Sequence, residues 1–300
     1  MNLANNLNPA VTVGTDLMPA RVSGLVTVWR RFRKNRAALA GLALIGVFAL
    51  AAVLAPFIAP YDPIAPSLAD RMQPPSWEHF LGTDYMGRDI LSRIIYGGRI
   101  SLEVGIISVG IALVSGVLLG SIAGYFGGLV DLLFMRLIDI MMAFPSILLA
   151  IAIVSVRGPG LLNAMIAIGI VAIPNYARIV RSSVLSVKEH EYIEAARALG
   201  VRNRRIIFRH VLPNCMAPLI VQATLGVATA VLDAAALSFL GLGVQPPTAE
   251  WGGMLSDSRS YLRLAPWTVA FPGVAILLSV MGLNLVGDGL RDALDPRLKQ

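Results

Sequence analysis

The sequence predicts an all-α, polytopic membrane protein with six transmembrane helices, and three observations carry that prediction. Of 300 residues, 56% are hydrophobic and only 14% charged, and the mean hydropathy is +0.71, above the balance of a soluble domain. The apolar residues fall in long blocks, not in the short runs of a globular core. Between the blocks, segments rich in arginine alternate with segments that carry no basic excess.

Residues 1–20 are polar and hold no apolar signal-type run, so no cleavable signal peptide is expected. A basic stretch, Arg30, Arg31, Arg33, Lys34 and Arg36, leads into uncharged residues 37–59, long enough to cross a hydrocarbon core of about 30 Å. Residues 61–100 are polar, with Pro74 and Pro75 marking loop. Further spans are predicted at about 101–125, 130–156, a short fourth around 161–173 with its helix continuing past Pro174, 215–242 and 268–287. Three regions result: an N-terminal tail at 1–36, a first span with its following polar segment at 37–100, and a core at 101–300 containing a long loop at about 175–214.

Charge orients the chain. The tail carries Arg21 and the basic stretch against Asp16 alone, and 175–214 carries seven arginines and Lys188 against Glu189, Glu191 and Glu194. Segment 61–100 has four arginines against five acids, and the stretch 243–267 is balanced. With six spans, both basic segments fall on one side, which the positive-inside rule makes cytoplasmic, together with both termini. The net charge of +7 is then a match for anionic lipid headgroups, and no nucleic-acid partner is needed. The single cysteine, Cys215, excludes an internal disulfide and a multi-cysteine metal site.

The 175–214 loop is long for a connector. It predicts a helix with Ile193, Ala196 and Leu199 on one face and acids in its first turns. Gly200 stands at its C-terminal cap, and a second short helix at about 204–211 ends before Pro213. Glu194-Ala195-Ala196, three residues, Gly200, then Leu212-Pro213 resembles the EAA loop of bacterial binding-protein-dependent ABC importer permeases. His210 departs from the broad consensus of that loop but is similar to the oligopeptide/dipeptide branch. Residues 81–102, 246–255 and 282–298 also resemble that branch, the first of them its C-type permeases.

The resemblance implies a type I ABC importer permease fold in the bacterial inner membrane. It implies that Glu194, Ala195, Ala196, Gly200, His210, Leu212 and Pro213 form a loop that docks on an ATPase. The implied partners are a homologous second permease, two cytoplasmic ATP-binding subunits that hold ATP and magnesium, and a periplasmic substrate-binding protein. No cofactor is expected on this chain: the only lysines are Lys34, Lys188 and Lys299, none preceded by glycine, so no P-loop exists. An intramembrane enzyme is disfavoured because His79, His190 and His210 lie outside the predicted spans and no HExxH is present. Import of nickel, glutathione or another small solute by the same architecture is the alternative.

Other charged residues have less specific roles. Arg136 and Asp139, one helical turn apart, predict a structural ion pair in the third span. Asp233 has no evident partner, and an ionisable group at that depth lines the pathway, binds a peptide amine or packs against a neighbouring subunit's polar group. Asp84, Arg88 and Asp89 are candidate contacts for the binding protein, or braces for the loops around them; Arg88 to Ile95 reads as an interfacial amphipathic helix. Trp251 and Trp267 are expected in an aromatic belt, and the glycines of 115–124 at a close helix contact.

Overall fold

The computed structural model of the protein describes residues 24–294; the polar tail expected over 1–20 lies outside the described residues. The helices are α1 (Gly24–Phe32), α2 (Arg36–Val53), α3 (Ala55–Ile58), α4 (Ile90–Phe126), α5 (Gly128–Met142), α6 (Ser146–Arg157), α7 (Leu161–Lys188), α8 (Glu191–Ala198), α9 (Asn203–Ile206), α10 (Met216–Phe239), α11 (Trp251–Ser258) and α12 (Trp267–Leu294). No strand occurs among the described residues. Helices α2, α4, α7, α12 and the run from Asn203 to Phe239 are each long and apolar enough to cross a membrane. Together α5 and α6 are also long and apolar enough for a span, the sixth if the pair is one crossing, and they are bent by 93° at the short break between them.

The span expected at 130–156 is thus two helices meeting at a bend. Pro145 caps α6 in an extended conformation. It lacks an N–H and disfavours a helical residue before it, so the helix breaks there and restarts in a new direction. The fourth helix behaves as expected: it continues through a buried Pro174 for 28 residues.

Small residues set the packing. Gly116, Gly120 and Gly124 recur one turn apart on α4 and lie against Tyr176, Ala177, Val180 and Val184 of α7. A Cβ on Gly124 would sit 3.0 Å from that of Val184, and at Gly116 and Gly120 the encounter is closer still. The predicted close contact at 115–124 is therefore realised, and van der Waals packing replaces the missing hydrophobic drive inside lipid. A second seam joins α2 to α12 in antiparallel sense, where Ala38 meets Gly289 and Gly41 meets Gly282 and Leu285. The Asn35 side chain caps α2 by accepting from Ala38 N at 3.1 Å.

α4 runs 37 residues, about 55 Å at the standard rise, and so projects well beyond a hydrocarbon core. Its first turns are the segment expected to be a separate interfacial helix. Asp89 caps it, accepting from Ser92 N at 2.8 Å, and Ile90 is fully buried. Hence that segment is no interfacial helix of its own but the root of a 37-residue span. Outward-facing Val47, Leu50 and Val53 on α2, and Ile106, Val114 and Leu118 on α4, are exposed. An apolar surface of this kind needs lipid or another subunit against it.

Candidate functional site

Three places hold the residues singled out from the sequence. The first is the segment joining α7 to α10. Glu189 and His190 break the helix after Lys188, and α8 begins with Glu191 and Glu194 in its first turn, where the helix dipole favours acids. Ile193 is 0% exposed and anchors α8 in the main core with Ile206, Val187 and Val211. Its C-terminus is a Schellman motif: Val201 N donates to Ala196 O at 3.1 Å and Gly200 N to Arg197 O at 2.9 Å. Gly200 has φ +74°, the left-handed conformation a β-branched residue resists.

Around that anchor the surface is open. Glu194, Ala195, Arg197 and Gly200 are exposed and Ala196 is half-buried. Leu199, expected on one face with Ile193 and Ala196, is 83% exposed; only Ile193 and, in part, Ala196 point inward. Arg197 lies 5.1 Å over the Tyr125 ring, and Tyr125 Oη donates to Asn203 Oδ1 at 2.9 Å. Lys188 Nζ donates to Gly124 O at 3.2 Å. These contacts pin the loop and the end of α7 to the end of α4.

The second short helix does not end before Pro213. Its α-helical turn, α9, passes into a π-helical turn at Ile207–Val211 and a 3-10 turn at Leu212–Cys215, which runs into α10. Leu212 N bonds to Ile207 O, and Pro213 sits in the first positions of the tighter turn, where its missing N–H costs little. His210 is half-buried, and its carbonyl accepts from Asn214 Nδ2 at 2.6 Å. The loop is thus joined to α10 by unbroken helical backbone.

The second place is the opposite end of the bundle. Asp84, Arg88, Asp89 and Arg93 are all buried. Arg88 Nε donates to Asp84 Oδ2 at 2.7 Å, Arg93 Nη1 to Pro63 O at 2.8 Å, and His79 Nδ1 lies 3.0 Å from Asp89 Oδ1. Asp257 of α11 stands 3.9 Å from Arg88 Nη2. The side chains therefore tie segment 61–89 to α4 and α11, and what they offer outward is the loops they brace. Those loops carry exposed Trp77, at 92%, and Phe80.

Trp251 corrects the aromatic-belt expectation. It is 0% exposed, packs on Gly97 and Gly98, and donates from Nε1 to Ile94 O at 3.0 Å. Trp267 Nε1 donates to Thr83 O at 3.2 Å. Beside Trp251, Glu250 is buried and accepts from Gly252 N at 2.9 Å and Gly253 N at 2.8 Å. Burial pushes its carboxyl above the usual range, and the two N–H groups oppose the shift. Glu250 is the N-cap of α11 and lies in the 246–255 stretch singled out from the sequence, but nothing in the sequence marked the residue itself.

The third place is along α5, α7 and α10. Asp139 does not pair with Arg136, which is exposed; its Oδ1 accepts from Arg178 Nη2 of α7 at 2.6 Å. Arg181 likewise reaches Asp131, with Nη2 to Oδ2 at 2.6 Å. Sequence spacing favoured the local partner, but the bent α5 crosses α7 so that both acids face its arginines. Asp233, half-buried on α10, makes no hydrogen bond or ion pair among the described residues. It borders a cavity of about 60 Å3 with Ser108, Asn175, Tyr176, Gln222 and Thr229.

Comparison with known proteins fits this geometry. The family model described as binding-protein-dependent transport system inner membrane component matches residues 116–300, and that of the N-terminal transmembrane domain of oligopeptide transport permease C matches 24–75. A dipeptide transport system permease protein of Alkalihalophilus pseudofirmus is 55% identical over 278 residues, 91% of each chain. A di/tripeptide transport system permease protein of Pseudomonas aeruginosa is 52% identical, over 92% of this chain and 93% of its own. A glutathione transport system permease protein of Pectobacterium atrosepticum is 46% identical over 90% of each chain. Among solved structures, the inward-facing MetNI methionine ABC transporter aligns with a TM-score of 0.56 at 20% identity, covering 69% of this chain and 98% of that one. At that identity the likeness shows a shared fold.

Proposed function

The chain belongs to the binding-protein-dependent transport system inner membrane components and is a non-catalytic permease subunit of an ABC importer; from that premise we propose that it carries di- and oligopeptides and couples through α8. In this reading it encloses the pathway with a homologous second permease. Two cytoplasmic ATPases, which hold ATP and magnesium, dock on the loops, and a periplasmic binding protein delivers cargo to segment 61–89 and its neighbours. The bacterial inner membrane then holds the protein with both termini and α8 on the cytoplasmic side, where the basic excess of 175–214 belongs.

One observation carries the coupling role. α8 presents Glu194, Ala195 and Gly200 outward while a single fully buried residue, Ile193, fixes it to the core. The small Ala195 lets a partner surface approach closely, and the glycine cap fixes the exit of the chain. Helical backbone then runs from Asn203 to Phe239, so a displacement of α8 by closing ATPases is delivered to α7 at one end and α10 at the other. The segment Glu194 to Leu212 acts as the lever.

The test is ATP-dependent uptake by proteoliposomes of the co-purified complex, with labelled dipeptide competed by other peptides, glutathione and nickel. Peptide uptake with competition by peptides is expected. Glutathione is the second candidate cargo, supported by the Pectobacterium relative, and stronger competition by glutathione than by dipeptide would select it. Absence of ATP-dependent uptake of any of the three would overturn the reading.

A further inference from the structure

The cavity beside Asp233 lies halfway along the bundle. Ser108 is the middle residue of α4, Asn175 stands at the middle of α7, and Gln222 and Asp233 bracket the middle of α10. Its wall is apolar elsewhere, with Val109, Ile168 and Ala230 among the lining residues. Ser108 and Thr229 spend their hydroxyls on the carbonyls of Met165 and Leu225, and Tyr176 donates to the carbonyl of Gln222 at 3.3 Å. Gly226 leaves room for that tyrosine; any Cβ there would overlap its hydroxyl. The side chains of Asn175, Gln222 and Asp233 remain uncommitted among the described residues.

A lone carboxylate at this depth costs several kcal/mol unless a cation meets it. None of the residues that line the cavity from α4, α7 or α10 is basic. The nearest arginine in sequence to Asn175, Arg178, is engaged by Asp139. Asn175 and Thr229 are exposed, so the cavity opens onto a face of the bundle. A volume of about 60 Å3 takes an ammonium group or a pair of waters, not a peptide. Primary amides also match a peptide bond, since each offers a donor and an acceptor.

We propose that Asp233, Asn175 and Gln222 form a mid-membrane subsite that takes the cargo's ammonium group and its adjoining amide. This rests on the peptide-import reading. The remainder of the cargo lies toward the second permease, so one end of a peptide is held while its side chains and length go unread. Such a site gives a charged substrate a stepping point across a low-dielectric barrier, and it binds one group only, so release follows once the pathway opens inward.

The experiment uses the assembled importer in proteoliposomes, with Cys215→Ser and Ala172→Cys placing a single thiol at the cavity wall. A small thiol reagent is applied during ATP turnover, with binding protein and a free-amine dipeptide present or absent, and dipeptide uptake is measured in the same vesicles. Peptide at about ten times its dissociation constant is expected to slow modification of the introduced thiol by about tenfold, since only about a tenth of the sites then stay free. Asp233→Asn is expected to abolish that protection and Asp233→Glu to keep most of it. Uptake without protection overturns the subsite and leaves peptide import standing; absence of uptake overturns the import reading itself. Equal protection in Asp233→Asn overturns the ammonium assignment. Failure of Asp233→Asn to assemble, where Asp233→Glu assembles, makes Asp233 a subunit contact and also overturns it.

Discussion

At the residue scale, single groups decide where short elements stop and what they show. Gly200 is the plainest case, because φ +74° is open to glycine and costly to a β-branched side chain. No atom lies near its missing Cβ, so Gly200→Val acts through the backbone and not through a clash. It is expected to leave the membrane bundle folded while lowering ATP-driven uptake about tenfold or more, with the loss tracking ATPase binding in a pull-down. Glu250 is a second case. Glu250→Ala leaves one buried and one half-buried N–H group unpaired and is expected to cost about 2 kcal/mol, read as a lower melting temperature in detergent; Glu250→Gln keeps an acceptor and costs less. Because burial raises the Glu250 pKa, its contribution to stability is fully present below the ordinary carboxylate pKa and is lost as pH rises through the raised value. The melting temperature should therefore show a smaller fall with rising pH in Glu250→Gln than in the parent.

At the element scale, α4 and α7 form the axle of the molecule, and glycine spacing makes their contact possible. A side chain at Gly120 runs into the backbone carbonyl of Ala177, which cannot rotate away. Gly120→Leu is expected to separate α4 from α7 and abolish assembly of the complex, scored by size-exclusion chromatography of the co-expressed subunits. The bent pair α5–α6 is held differently, by Asp131–Arg181 and Asp139–Arg178. Neither pair was legible: partners 39 and 50 residues apart meet because α5 crosses α7. Local spacing pointed to Arg136, which the crossing of α5 over α7 leaves facing outward. The span count and the continuation of α7 past Pro174 were legible, since both follow from runs of apolar side chains.

At the scale of the whole molecule, the charge pattern and the fold agree on two ends. Segment 61–89 and α11 close one end through buried ion pairs, and α8 with α9 closes the other beneath α4 and α7. Thiol labelling in intact cells tests the sidedness. In a Cys215→Ser background, Ser76→Cys at the first end is expected to react with a membrane-impermeant reagent, and Leu199→Cys at the other only after permeabilisation. The reverse result would invert the orientation and remove α8 from the ATPase side.

What the sequence determined by itself is the solvent of this protein and the location of its long basic loop. Apolar runs of helix-spanning length leave no alternative to lipid, and a glycine after an amphipathic turn marks a helix end wherever it occurs. Tertiary structure alone decided the partners. It buried Trp251, turned Leu199 outward, passed α9 through Pro213 into α10, and left Asp233 without a counter-charge at the middle of the bundle. Those outcomes depend on how helices far apart in sequence rotate and cross, and local periodicity records a helix's own faces but not which neighbour each face will meet.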